Sequence, residues 1–166
     1  MFYSRQRAAR VAGADGVTLI EVAFTVLIIG ILIAVALPGL KKPLAAYRLQ
    51  IAAQEMAGKI RELQQRAISE ETTGYKISFD TAAECYRLRK HAQILEEIYL
   101  PPAIDLVYTN FKDQSLEFTA RGTPWPRGGT VTLQDTVSGE MQYVIVASIT
   151  GRVRVSDEPP ESWENS

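Results

Sequence analysis

Residues 16–40 read GVTLIEVAFTVLIIGILIAVALPGL. Over residues 17–40 the only charge is Glu21. Wound as a helix at about 1.5 Å per residue, that stretch reaches roughly 36 Å against a hydrocarbon core of about 30 Å, so it predicts a tilted membrane-spanning helix. Upstream, Arg5, Arg7 and Arg10 are opposed only by Asp15. Positive flanks stay cytoplasmic, so the N-terminus is expected inside and everything after Leu40 outside. Pro38 lacks a backbone donor and clashes with the preceding turn, so the helix should loosen over residues 37–39.

Three readings compete for this block. A secretory signal peptide would be cut at a small-residue site such as Ala34-Val35-Ala36, but the uncharged run over residues 22–37 is long for one. A plain signal anchor leaves Glu21 unexplained, because a carboxylate near the membrane interior costs about 2 to 3 kcal/mol unless paired. The third reading gives Glu21 a partner. Gly16-Val17-Thr18-Leu19-Ile20-Glu21 followed by an apolar helix resembles the type III signal of type IV pilins and type II secretion pseudopilins.

That resemblance implies a leader, residues 1–16, removed by a prepilin peptidase after Gly16, and N-methylation of Val17. It also implies that Glu21 pairs with the N-terminal amine of a neighbouring subunit. Such pairing removes the penalty on the carboxylate and sets axial register. Pro38 lies where pilins of this type often have a helix-loosening proline. Two positions depart from the family pattern: Val17 replaces the usual Phe, and Asp15 replaces a common basic residue. The implied partners are the peptidase, other pilin or pseudopilin subunits, the inner-membrane assembly platform and the membrane.

Past the apolar block, residues 41–70 have Leu49, Ala52, Met56, Ile60, Leu63 and Ala67 at spacings of three or four, one face of an amphipathic helix. Beyond Thr73 the period changes to two. Strands are predicted at residues 75–80, 85–90, 94–100, 104–109, 115–119, 130–136, 141–148 and 152–156, separated by Gly, Pro and Asp turns. Many short strands after one helix predict an α+β chain: a long N-terminal helix followed by an antiparallel β-rich head over residues 71–156. Residues 157–166, with Glu158, Glu161, Glu164 and two prolines, read as an acidic disordered tail.

Composition limits the function classes. The 166 residues carry 18 Lys+Arg and 19 Asp+Glu, so no overall basic charge favours nucleic acid. One Cys and one His cannot assemble a zinc site or a disulfide framework, so no metal or cofactor is expected. Glu70-Glu71 and Glu96-Glu97 are adjacent pairs that do not converge on one substrate atom, and no enzyme is expected.

The distal segment Leu116-Glu117-Phe118-Thr119-Ala120-Arg121-Gly122-Thr123-Pro124, then Gly128-Gly129-Thr130-Val131-Thr132-Leu133, resembles the head of the GspH and FimT minor pilin family; major pilins and other pseudopilins also fit. Gly151-Arg152-Val153-Arg154 matches a Gly-Arg-x-Arg motif associated with DNA binding in the FimT branch. On a strand Arg152 and Arg154 share a face. With Arg121 and Arg127 nearby they would engage roughly two to four phosphates. An ordinary solvated strand face, or salt bridges to the acidic tail, explains the pair equally well. Arg87 and Arg89 form a second co-facing pair. Cys85 reads as a lone, partly buried thiol, and Trp125 as either a loop anchor or an exposed stacking surface. A reading from another class is a membrane-anchored or secreted β-rich binding domain that never polymerises.

Overall fold

The computed structural model describes residues 17–160. Gly16, the leader and residues 161–166 of the tail lie outside the described residues. The chain divides into two units, Met1–Leu40 and Lys41–Ser166.

In the first unit, helix α1 runs Leu19–Ala36. It starts two residues later than the apolar block because Thr18, in extended conformation, is its N-cap. The Thr18 Oγ1 accepts from the backbone N–H of Glu21 at 3.3 Å, satisfying a donor that the first turn leaves open. The 18 residues of α1 make a rod of about 27 Å, close to a bilayer's hydrocarbon thickness. None of them is buried. A 3-10 turn, Leu37–Leu40, follows, as befits a segment in which proline cannot donate an α-helical hydrogen bond.

The second unit opens with helix α2, Lys41–Ser69. Pro43 falls in its first turn, where no intrahelical donor is needed. Leu49, Ala52, Met56, Ile60, Leu63 and Ala67 form its buried stripe, widened by Ala45, Ala53 and Ala57. The alanines let strands approach the helix backbone, while the larger side chains supply roughly 1.5 to 3 kcal/mol each on full burial.

Nine strands follow: β1 Tyr75–Asp80, β2 Cys85–Lys90, β3 Gln93–Tyr99, β4 Ile104–Thr109, β5 Ser115–Phe118, β6 Pro124–Trp125, β7 Gly129–Asp135, β8 Met141–Val146 and β9 Val153–Ser156. They form two antiparallel sheets. The first has the order β3-β2-β1-β5-β6 and the second β4-β7-β8-β9. Register follows the alternation of side chains: Tyr75, Ile77 and Phe79 of β1 are buried, with Lys76, Ser78 and Asp80 between them less so. The stripe of α2 packs against both sheets, and one core joins Met56, Ile60 and Leu63 to Ile77, Leu116, Phe118, Val131, Leu133, Val144 and Val146. Phe79 of the first sheet stacks on Phe111, the two rings 5.5 Å apart, and Asn110 beside it accepts from Thr130 N–H at 2.6 Å. These contacts join the sheets at the loop between β4 and β5.

The α+β class, with an N-terminal helix ahead of antiparallel sheets, is therefore the architecture observed. The antiparallel strands divide into two sheets, and several strand ends lie one or two residues from their predicted positions. Two-residue β6, too short for any period to register, falls where the sequence predicts a turn. β9 begins at Val153, because Arg152 still belongs to the turn closed by Gly151 N–H on the Ala147 carbonyl at 2.9 Å.

Candidate functional site

Two turns, one from each sheet, meet on α2. The turn between β5 and β6 contains Arg121-Gly122, and the turn between β8 and β9 contains Gly151-Arg152. The Gln64 carboxamide donates to both, 2.6 Å to the Gly122 carbonyl and 3.1 Å to the Gly151 carbonyl. Both glycines have positive φ, +76° and +66°. At Gly151 an added Cβ would lie 2.5 Å from the Gly122 carbonyl oxygen, 2.6 Å from Gln64 Nε2 and 3.4 Å from Pro124 Cδ. Only a residue without a side chain permits that approach.

This joint brings distant arginines together. Arg121 and Arg152 are the chain neighbours of the two touching glycines, and both are exposed. Arg127 precedes Gly128, whose N–H donates to Ser148 Oγ at 3.2 Å within the β8–β9 turn. It too is exposed. Arg154 is exposed on β9, paired with Ile145, while Val153, between Arg152 of the turn and Arg154 of the strand, is buried at 8% exposure. Arg61 of α2 donates to the Val153 carbonyl at 3.0 Å, tying β9 to the same stretch of helix as Gln64. None of Arg121, Arg127, Arg152 and Arg154 makes an ion pair among the described residues. Arg121, Arg127 and Arg152 thus border the joined turns, with Arg154 two residues along from Arg152 on β9.

The acidic residues after β9 begin elsewhere. Asp157 borders a hollow with Gln50 and Gln54, ten or more positions back along α2 from Gln64. At about 1.5 Å per residue, Gln54 and Gln64 are roughly 15 Å apart, so β9 carries the described acids away from the arginine turn.

Of the second basic pair, Arg87 is taken up by acids of the fold, while Arg89 makes no ion pair among the described residues and its buried Nε has no hydrogen-bond partner there. Arg87 donates to Glu97 at 2.6 Å and to Asp80 at 3.0 Å. Glu97, then Asp80, hold its guanidinium above its ordinary pKa. The Ala83 N–H and the Arg87 guanidinium hold the Asp80 carboxyl below the usual range. Lys59 pairs with Glu96 at 2.7 Å, and that bond raises its pKa against the opposing effect of burial. Glu70 binds Lys90 and the Tyr75 hydroxyl, each at 2.6 Å, which lowers its pKa. Glu70, Glu96 and Glu97 therefore each belong to a separate charge pair. Cys85 is fully buried, and burial pushes its thiol pKa up, leaving an inert side chain. Trp125 is 60% exposed on edge strand β6. His91 occupies the β2–β3 turn, its N–H donating to the Gly74 carbonyl at 2.7 Å.

In the first unit Val17 is 70% exposed and Glu21 is exposed in the first turn of α1. Pro38 belongs to the 3-10 turn. Gln64 is the residue that sequence reasoning missed. Its place on the polar flank of α2, one position beyond Leu63, was a weak signal, since its partners lie 58 and 87 positions away.

No protein-family model matches the chain, and no curated protein sequence does. Among solved structures, the chain is similar to the type IV minor pilin FimU of Pseudomonas aeruginosa strain PAO1. In one crystal form the TM-score is 0.58 at 18% identity, covering 70% of this chain and 96% of that one. In a second form the TM-score is 0.55 at 18% identity, covering 69% and 98%. The chain has the fold of that minor pilin, an N-terminal helix ahead of antiparallel sheets.

Proposed function

We propose that the chain is a minor pilin or pseudopilin subunit of a type IV pilus or type II secretion pseudopilus. One observation carries this reading: α1 has 18 apolar-rich residues and none is buried. Such a surface requires a bilayer, and then a packed neighbour, as its apolar environment. The pilin fold supports the same conclusion. Prepilin peptidase cuts after Gly16, Val17 is N-methylated, and the subunit waits in the inner membrane with its head outside. The assembly platform then extracts it into a filament with other pilins, where Glu21 meets a neighbour's terminal amine. Pro38 gives α1 a loosened end during that packing. No catalytic step is assigned to the chain.

Intact mass of membrane-extracted protein, expressed with and without a prepilin peptidase, tests the processing. The expected result is loss of residues 1–16 plus one methyl group only with the peptidase. A chain left whole, or cut after Ala36, sinks the filament reading and leaves an anchored or secreted β-rich domain.

The arginine rim adds a task, weak binding of DNA for natural transformation. Its support is the placing of Arg121, Arg127, Arg152 and Arg154 near the joined turns with no ion pair among the described residues, since guanidinium groups clamp phosphate oxygens. Substituting both Arg152 and Arg154 by Gln should weaken duplex binding for every sequence and reduce the magnitude of the log K against log salt slope by about 2, one unit per phosphate contact. Titration at several salt concentrations reads that slope, and an unchanged slope removes the pair from the interface.

A further inference from the structure

We infer that the rim takes single-stranded DNA with an unpaired base stacked on Trp125. The inference rests on the DNA-binding reading above and narrows its ligand. Trp125 is 60% exposed although it sits in a strand, so its indole anchors no loop. Open hollows of about 240 Å³ and 210 Å³ both border it. The larger is walled by Phe118 and by Thr73 and Thr119, and the smaller by Lys76 and Lys112. An exposed aromatic face beside open space and cations matches the way single strands are held, by stacking of bases with electrostatic tracking of the backbone.

The platform is continuous with the arginines. Pro124, the residue before Trp125, is the third neighbour of the site where a Gly151 Cβ would stand, at 3.4 Å. Arg127 lies two residues beyond Trp125, and Arg121 four residues before it across the β5–β6 turn. At no more than about 3.6 Å per residue, the Arg121 Cα lies within roughly 14 Å of the Trp125 Cα. A strand whose base lies on Trp125 thus has arginines within reach of its flanking phosphates. In a duplex each base face is covered by its neighbours, which leaves nothing for the indole to stack on.

Two acids border the hollows, Asp113 beside Lys112 in the smaller one and Glu117 in both. Glu117 is the cross-strand partner of Trp125. A carboxylate repels phosphate but accepts from the N4 amino group of cytosine. Of the two pyrimidines only cytosine has such an amino group, so oligo(dC) is a suitable probe. Neutral sugars also stack on exposed indoles, yet they make no use of the arginines flanking this one.

The test uses the detergent-solubilised full chain carrying Trp163→Phe, so that Trp125 alone reports by fluorescence. Twenty-nucleotide oligo(dC), a mixed duplex of equal length and a neutral oligosaccharide are titrated against it. Oligo(dC) should quench the indole. Trp125→Ala, measured by anisotropy of labelled DNA, should weaken oligo(dC) binding about 5- to 150-fold and change duplex binding less than twofold. Trp125→Phe, which keeps a ring, should restore most of the loss, whereas Arg152→Gln with Arg154→Gln should weaken both DNAs. Duplex binding with no quench by oligo(dC) and no effect of Trp125→Ala overturns the stacking inference while sparing the DNA reading. Binding of neither DNA overturns both, and quenching by the oligosaccharide alone assigns the platform to a glycan instead.

Discussion

Gly151→Ala destabilises the second unit by about 3 kcal/mol. The left-handed backbone at φ +66° costs an L-residue about 1 to 2 kcal/mol. The new methyl would stand 2.5 Å from the Gly122 carbonyl oxygen and 2.6 Å from Gln64 Nε2, so the turns must part. Parting them breaks two hydrogen bonds of Gln64, each worth about 1 kcal/mol. Melting of the detergent-solubilised chain, followed by far-ultraviolet circular dichroism, should fall by roughly 10 °C. Gly139→Ala is the control. It has a similar φ of +75° but nothing within 4 Å of the added carbon, so it should show backbone strain alone, about 1 kcal/mol. Equal shifts for the two variants would mean that the joint between the turns contributes nothing.

On the pilin reading, Glu21→Ala should strongly reduce incorporation into filaments while leaving membrane insertion intact. The carboxylate is the only charge in residues 17–40, and its removal makes insertion easier. The helix start also survives, because Thr18 accepts from the backbone N–H of residue 21 and not from its side chain. Within a filament the variant leaves a neighbour's amine unpaired at a cost of about 2 to 3 kcal/mol, or roughly 30- to 140-fold per contact. Fractionation of sheared filaments and membranes, with immunoblotting of each, measures the distribution. Wild-type amounts of the variant in the filament fraction would exclude the assembly role and favour the anchored β-domain.

The two sites were unequally visible in the sequence. Helix α2 and strands β1, β2 and β4 were legible because their patterns are local: the apolar spacing of Leu49 to Ala67, and the alternation in Tyr75, Ile77 and Phe79. So was the alternation of exposed Arg152 and Arg154 around buried Val153. Long-range pairing was hidden. Nothing near Arg87 in sequence says that Glu97 will reach it across a hairpin and remove it from the surface. Nor does Gln64 announce that two turns, 58 and 87 residues further on, will close around its carboxamide. The strand order in each sheet was hidden for the same reason, since it pairs strands far apart in sequence, such as β1 with β5 and β4 with β7.

The way Gln64 and Arg61 grip the turns has a mechanical consequence. Cargo held at Arg121 or Arg152 and pulled would load the β5–β6 and β8–β9 turns. Unsupported hairpins of that kind open one hydrogen bond at a time from the tip. Here Gln64 holds both turn carbonyls and Arg61 holds Val153, so tension passes directly into α2 and several bonds must fail together. If the rim holds DNA as proposed, the tether would resist traction, and a force spectrometer pulling from Arg152 should meet a stiffer element than one pulling from the exposed β2–β3 hairpin.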